Sequence, residues 1–204
     1  EKWSKEALML RRQEIGFREF DRGFKLKALS SEDQLFPPVL FERVYDFSLG
    51  LSELPGNSSG WNFYTGVDLG IGKKNSTKTV IFTFGIKKEL KIPVEIKIGN
   101  WKETEKLRQI EATFNRWRPE IIAVENNSYQ ETTIERMKEA NVSFPIRGLY
   151  TGSQKADLEI GLPSMSVELE NGIWVIPMKG HEDVVDAKKI CNCPICLWIG
   201  ECVT

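Results

Sequence analysis

Three acidic residues lie where strands or helices are predicted to begin or end. Asp68 ends the run FYTGVD, Glu125 ends the run EIIAVE, and Asp183 opens the segment DVVDAKKI. A carboxylate beside an apolar core is poorly solvated, so it is usually hydrogen-bonded, paired or bound to a cation. If folding brings these acids together, their hard oxygen ligands suit magnesium or manganese rather than zinc.

Each of the three acids also has a purely structural explanation. Asp68 can cap a turn, and Glu125 can bind the backbone where a helix begins near Ser128. Asp183 is an acid in a first helical turn, where the helix dipole favours a negative charge. The spacing of the acids alone leaves both interpretations open.

The elements that position these acids follow from hydrophobic periodicity. Strands are predicted at residues 63–69, 79–86, 92–98, 120–125 and 144–149. Helices are predicted between Asn100 and Pro119, where Asn100 and Glu103 form a capping box, and from Ser128 to about Ala140. The dipeptide Asn171-Gly172 predicts a β-hairpin, and a last helix begins at Glu182. We therefore expect an α/β fold: a mixed sheet with three antiparallel strands, then parallel strands, and helices on both faces.

The first sixty residues look different from the rest of the chain. A short helix capped by Ser4 is predicted at residues 4–15, and irregular chain follows as far as the polar run PGNSSG at 55–60. We predict an N-terminal helix and connector arm at 1–60 and a core at 61–204. Because the first residue is not Met, we expect a piece of a longer polypeptide or a processed chain.

Composition is ordinary for a globular protein, with 41% hydrophobic residues, 28% charged residues and a net charge of −1 over 204 residues. No apolar run reaches the roughly 18 residues that a membrane span needs, so no membrane partner is expected. Between residues 71 and 106, nine lysines stand against four glutamates. This surplus is compatible with binding a polyanion and equally with a solvated, lysine-rich sheet edge.

All four cysteines lie between residues 191 and 202, namely Cys191, Cys193, Cys196 and Cys202. No cysteine elsewhere is available to pair with them across the fold, so a disulfide framework is not expected and a reducing, intracellular location is. Structural zinc usually takes two separated cysteine pairs. The compressed spacing, interrupted by Pro194, favours buried thiols or a frayed tail over zinc. The single histidine, His181, is expected to support the acid site from outside its ligand shell.

Several segments together resemble the nuclease domain of phage terminase large subunits. They are GVDLGIG, IIAVENNSYQ, NGIWVIP and GHEDVVDA, in this order, and WSKEALMLRRQEIGFREF is similar to the connector that follows the ATPase domain in those packaging motors. The resemblance implies a ribonuclease-H-like fold. It also implies a metal-dependent endonuclease that cuts double-stranded viral DNA during genome packaging by two-metal phosphodiester hydrolysis.

The resemblance also implies roles for individual residues. Asp68, Glu125 and Asp183 are the expected ligands of two magnesium or manganese ions, and Asp186 is the alternative third ligand. Glu182 stands where the family has Asp. Lys155 matches a lysine near the site and is expected to contact the scissile phosphate, although a solvated surface lysine explains it as well.

One departure from the family is that Lys73 and Lys74 occupy positions where relatives often carry a further acid. The implied partners are double-stranded DNA bound largely without sequence preference, an upstream ATPase domain, a small terminase subunit and a portal protein. The implied location is the cytoplasm of an infected bacterial host.

Two other functions remain open at this stage. The segment VDLGIG also resembles the first phosphate-binding segment of the actin and sugar-kinase superfamily, which would make the protein a phosphotransferase. That alternative requires a second Asp-Gly-rich phosphate segment and an adenosine loop, and the sequence contains no match to either. A non-catalytic module that docks DNA or a portal protein is the other alternative, but such a module has no need for three converging acids.

Overall fold

The computed structural model describes residues 3–26, 35–56, 59–70, 78–125, 144–149, 162–183 and 191–203. The predicted helix at 128–140 and the candidates Lys155 and Asp186 lie outside these residues. Within the described ranges, no helix is both long enough and apolar enough to cross a membrane.

In chain order the elements are α1 (Lys5–Phe24), α2 (Pro38–Glu42), β1 (Tyr45–Asp46), β2 (Asn62–Asp68), β3 (Thr79–Lys87), β4 (Leu90–Gly99), α3 (Glu103–Trp117), β5 (Ile121–Glu125), β6 (Ile146–Leu149), α4 (Leu162–Glu170), β7 (Ile176–Pro177) and α5 (Pro194–Val203).

A five-stranded mixed sheet, in the order β4-β3-β2-β5-β6, forms the centre of the fold. The strands β2, β3 and β4 pair antiparallel, whereas β2, β5 and β6 pair parallel. The predicted meander followed by parallel strands is confirmed. The sheet forms here because β3 alternates its buried side chains between two faces, with Ile81 in one hydrophobic cluster and Phe82 packed against another.

Helix α3 covers one face of the sheet through Leu107, Ile110 and Phe114, which recur at helical spacing. The predicted capping box at Asn100 is wrong: the N-cap residue is Lys102, and no side chain caps the helix. The reason is local packing, since the ring of Trp101 lies over Gly99, where a Cβ atom would come within 2.3 Å of it. The chain therefore turns through Asn100 and Trp101 before the helix begins.

The opposite face of the sheet carries α2, α4 and α5. Phe41 of α2, Leu169 of α4 and Ile195 of α5 are all buried in one hydrophobic cluster with Ile96 of β4. The sheet therefore has helices on both of its faces, as the sequence predicts. A short two-stranded parallel sheet of β1 and β7 lies among these elements.

The N-terminal helix is followed by a second helical segment that was not predicted. Ser4 caps the N-terminal helix as expected, because its hydroxyl accepts a hydrogen bond from the amide of Ala7 at 3.2 Å. Helical structure continues to Phe24 across a kink at Gly16, which has φ 76°. There the chain meets α4: the amide of Phe17 donates to Glu170 Oε2 at 2.8 Å. Gly16 is not helical, so the predicted helix ends there and a second helical segment follows it.

The predicted hairpin at Asn171-Gly172 is wrong. The residues before it form helix α4, and Gly172, with φ 69°, ends that helix. The amide of Gly172 donates to the carbonyl of Leu169, and that of Ile173 donates to Glu168. An Asn-Gly pair supplies the left-handed backbone that both a hairpin and a helix C-terminus require, so tertiary packing selects between them.

Part of the segment before residue 60 lies inside the hydrophobic core. Phe36, Leu40 and Phe41 are buried in the same cluster as α4 and α5. The amides of Ile176 and Met178 donate to the carbonyls of Val44 and Asp46. Residue 60 therefore does not coincide with a break in the packing, and the division into connector and core stays a prediction.

Candidate metal-binding site

Two of the predicted acids end neighbouring parallel strands. Asp68 is the last residue of β2 and Glu125 is the last residue of β5. The strands pair in register, with Val67 opposite Val124, so the two acids follow at the next position on each strand. Neighbouring strands lie about 4.8 Å apart. Two positions separated by more than fifty residues of sequence are thus brought side by side at one edge of the sheet.

The two acids line a common cavity of about 260 Å³ on the sheet face that carries α4 and α5. Val67 and Val124 pack on the α3 side, so strand alternation directs the following residues to the opposite side. Gly66 and Ala123, one residue before those valines, leave the floor of the cavity open. The lining is completed by Val67, Val80, Phe82 and Leu149.

The chain after Asp68 is held from two directions. The amide of Gly70 donates to Thr79 Oγ1 at 3.1 Å, and the carbonyl of Gly70 accepts from Lys106 Nζ at 2.8 Å. Lys106 is only 7% exposed, so its ammonium group crosses from α3 to this carbonyl inside the protein. Leu69 is buried between these anchors and Asp68. The backbone that carries Asp68 is therefore fixed by α3 and β3.

The chemistry of this cavity fits a hard divalent cation. Asp68 is exposed and Glu125 is half-buried, so both carboxylates are accessible from solvent. Their surroundings in the cavity are apolar, with Val80, Phe82 and Leu149 around them. Carboxylate oxygens are the ligands that magnesium and manganese prefer, so two acids that line one cavity can hold such a cation.

The third predicted acid has a different position. Asp183 is exposed in a helical turn with Glu182, and it is not among the residues that line this cavity. The structure therefore brings Asp68 and Glu125 together, and the role of Asp183 as the third ligand stays a prediction. The roles of Asp186 and Lys155 also stay predictions.

One basic residue near the acids was not singled out in the sequence. Arg147 of β6 is exposed and pairs with Ala123 of β5, which lines the cavity. Strand alternation places Arg147 on the same face as Leu149, two residues further along β6. The predicted strand at 144–149 places Arg147 and Leu149 on one face, but only the pairing of β6 with β5 shows that this is the face of the acids.

Several lysines of the surplus at residues 71–106 form contacts within the protein. Lys91 pairs with Glu168 of α4, and Lys97 Nζ lies 3.0 Å from Thr113 Oγ1 of α3. Lys106 is held by Gly70, as described above. These three lysines connect the sheet to its covering helices, which weakens the interpretation of the whole surplus as a surface for a polyanion.

The cysteine-rich segment is not a frayed tail. Cys193 immediately precedes α5, and Cys196 and Cys202 belong to that helix and pack against the main hydrophobic cluster. Pro194 does not interrupt the group, because it is the first residue of α5, a position that suits proline. Cys191, Cys193 and Cys196 lie close to His181. Cys202 is not in this group, and burial and the charge of Glu201 raise the pKa of its thiol to about 11.

No protein-family model matches this sequence, and no curated protein matches it. Solved structures do match the fold. The large terminase from the thermophilic bacteriophage D6E aligns with a TM-score of 0.59 at 9% identity, over 86% of this chain and 41% of that one. The large terminase nuclease from thermophilic phage G20c aligns at 12% identity with bound magnesium and at 11% with bound cobalt, with TM-scores of 0.53 and 0.52.

Both G20c alignments cover 72% of this chain and 76% of that nuclease. At these identities the likeness shows the fold, which is that of the large-terminase nuclease and agrees with the predicted ribonuclease-H-like arrangement. This chain spans 41% of the length of the D6E protein.

Proposed function

We propose that this chain, which has the large-terminase nuclease fold, is a metal-dependent endonuclease domain that cuts double-stranded DNA during viral genome packaging. The observation that carries the proposal is the pair formed by Asp68 and Glu125, which end adjacent parallel strands and line one cavity. Two nearby carboxylates on an open, solvent-accessible face suit a cation that must also reach a phosphodiester.

Each residue around the cavity has a separate proposed role. Asp68 and Glu125 offer carboxylate oxygens to magnesium or manganese, and Asp183, or Asp186 in its place, is the proposed third ligand. When bound, a pair of such cations supplies water activation and stabilisation of the leaving oxygen for phosphodiester hydrolysis. Gly66 and Ala123 have no bulky side chain, so they leave space for a phosphate beside the acids. Lys155 is the proposed contact to the scissile phosphate.

The proposed substrate is DNA bound through its backbone. Arg147 lies on the face of the acids at the outer strand of the described sheet, where its guanidinium suits a phosphate. No base-reading helix is evident in the sequence, so little sequence preference is proposed. An upstream ATPase domain, a small terminase subunit and a portal protein are the proposed partners in the cytoplasm of an infected bacterium, with residues 1–60 as the connector to the ATPase.

A plasmid-cleavage assay tests this proposal. Supercoiled plasmid is incubated with the purified chain and magnesium or manganese, with and without EDTA. We expect nicked and linear products with the cation and none with EDTA. Asp68→Ala should lower the cleavage rate by at least about 100-fold, since several kcal/mol of transition-state stabilisation depend on the cations.

The matched control is Glu111→Gln, which neutralises an exposed acid on α3, across the sheet from the cavity. This variant should cut at the parent rate. Cleavage by Asp68→Ala at the parent rate would refute the proposed site. Phosphate transfer from ATP to a sugar, with no cutting of DNA, would instead support the phosphotransferase alternative.

A further inference from the structure

A second group of metal-ligating side chains lies at the start of α5. One ligand atom from each of His181, Cys191, Cys193 and Cys196 lies within 4.8 Å of all the others. Among the described residues, this is the one group of three or more histidines, cysteines and acids that is close enough to hold a metal ion. All four side chains are half-buried, so the group is neither dispersed in solvent nor sealed within the core.

The histidine ring is oriented as in a metal ligand. Its Nδ1 atom lies 3.1 Å from the carbonyl oxygen of Lys179, and its Nε2 atom lies 3.0 Å from Cys193 Sγ. A carbonyl only accepts hydrogen bonds, so Nδ1 carries the proton and donates to Lys179. The lone pair of Nε2 then points toward the sulfurs. Metal-binding histidines usually have their second nitrogen fixed to a carbonyl or carboxylate in this way.

The cysteine backbone is also arranged to support thiolates. The amide of Cys193 donates to Cys191 Sγ, and the amide of Cys196 donates to Cys193 Sγ, both at 3.5 Å. Amide donors of this kind stabilise the anionic sulfur that a metal requires.

The dimensions of the group match a tetrahedral zinc ion. Zinc–sulfur bonds of about 2.3 Å and zinc–nitrogen bonds of about 2.05 Å separate tetrahedral ligands by roughly 3.6–3.8 Å. The observed limit of 4.8 Å between ligand atoms is about 1 Å larger. Side-chain rotations that shorten the longer distances and widen the 3.0 Å between His181 Nε2 and Cys193 Sγ bring four ligands around one ion. Three sulfurs and one imidazole favour zinc over the hard cations that suit Asp68 and Glu125.

We propose that His181, Cys191, Cys193 and Cys196 bind one zinc ion in a closed, structural site. Four protein ligands leave no open position for a substrate, so this site does no chemistry itself. It joins the chain that follows β7 to the beginning of α5. Cys202 is not part of it.

This site has a consequence that rests on the proposed function. Asp183 lies two residues after His181, so a zinc ion that fixes His181 also restrains the turn that carries the proposed third acid. Zinc binding itself requires neither DNA cutting nor Asp183, so a failure of the nuclease proposal leaves the zinc proposal standing.

Metal analysis of the purified chain tests the proposal. The chain is produced with zinc in the medium, treated with reductant, passed through a desalting column and measured for zinc by mass spectrometry. We expect about one zinc per chain in the parent. Cys193→Ser should lower this value at least tenfold. Cys202→Ser is the matched control and should retain the parent content, as should Asp68→Ala, which separates this metal from any bound at the acids.

A second measurement does not depend on how the variants fold. Cobalt added to the metal-free parent under reductant should give the intense near-ultraviolet absorption of thiolate-to-cobalt charge transfer and the visible bands of a tetrahedral ion. Zinc should then abolish both. Absence of these bands, or equal zinc loss in Cys193→Ser and Cys202→Ser, would overturn the proposal. So would a disulfide among the three cysteines of a chain purified without reductant and containing no zinc.

Discussion

The acid pair and the cysteine–histidine group are built in opposite ways. Asp68 and Glu125 are far apart in sequence and meet because two parallel strands pair in register. His181, Cys191, Cys193 and Cys196 lie within sixteen residues of sequence, and their ligand atoms lie together near the start of α5. The acids offer hard oxygens in an open cavity, whereas the thiols and imidazole offer soft donors in a closed group. In our proposals the acid pair takes part in the reaction, and the cysteine–histidine group stabilises the fold.

The two regions are connected by aromatic packing. Phe82 of β3 lines the acid cavity, and its ring lies 5.0 Å from that of Trp198, two residues after Cys196 on α5. Trp198 also meets Phe41 of α2 edge to face at 5.8 Å. The helix that carries Cys196 is therefore held against the sheet by the same hydrophobic cluster that borders the acids.

Removing that shared support should have the largest effect. Phe41→Ala deletes a fully buried ring, and we expect a loss of about 3–5 kcal/mol in the free energy of unfolding. Urea unfolding measures it. Val39→Ala, at a position 45% exposed on the same helix, is the control and should change stability by less than about 1 kcal/mol. Similar losses in both variants would mean that α2 does not pack as described.

Neutralising Glu125 should lower DNA cleavage without changing zinc binding. Glu125→Gln keeps the shape of the side chain but removes its charge, so we expect DNA cleavage to fall by about 100-fold or more while zinc content is unchanged. Plasmid nicking and metal analysis on the same preparation measure both quantities. If zinc content falls together with cleavage, the two regions do not bind metal independently.

Removing the hydrogen bond from Lys106 to the Gly70 carbonyl, two residues after Asp68, should have a smaller effect. Lys106→Met keeps the aliphatic part of the side chain but leaves the Gly70 carbonyl without its ammonium donor, which should cost about 1–3 kcal/mol of stability. The manganese concentration needed for half-maximal cleavage should also rise, because the chain after Asp68 is less well fixed. Lys102→Met, at an exposed position at the start of the same helix, should alter neither quantity.

The smallest expected effect concerns substrate binding. Arg147→Ala should weaken DNA binding a few-fold and reduce the slope of log affinity against log salt by about one, as expected for the loss of one phosphate contact. Arg108→Ala is the control, since Arg108 lies on α3 and pairs with Glu105. A fluorescence-anisotropy titration at several salt concentrations distinguishes them. Equal changes in the two variants would mean that Arg147 contributes only through the overall positive charge and makes no specific phosphate contact.

The sequence was most informative where the physics is local and repetitive. The alternation in β3 and β4 and the apolar run of β5 predicted the strands to within two residues. The pairing of β2 with β5, which places Asp68 beside Glu125, is known only from the structure. It was least informative where one signal serves two structures. Asn171-Gly172 suits both a hairpin and a helix end, and only the packing of Leu169 against α2 and α5 decides.

The cysteine group was missed for a related reason. Spacing rules for zinc consider cysteine pairs, and the fourth cysteine, Cys202, appeared to complete the set. In the structure His181, ten residues before Cys191, takes the fourth position instead. Arg147 could not be recognised from the sequence, because an exposed arginine indicates a binding role only when the neighbouring strand and the face of the sheet are known. The pairing of β6 with β5 supplies both.

A crystal soaked in manganese and measured for anomalous scattering tests whether Asp68 and Glu125 bind a cation. We expect manganese density at the carboxylates of Asp68 and Glu125, with none at the cysteine group, whose donors favour zinc. Manganese density elsewhere, with the two carboxylates unliganded and turned apart, would contradict it.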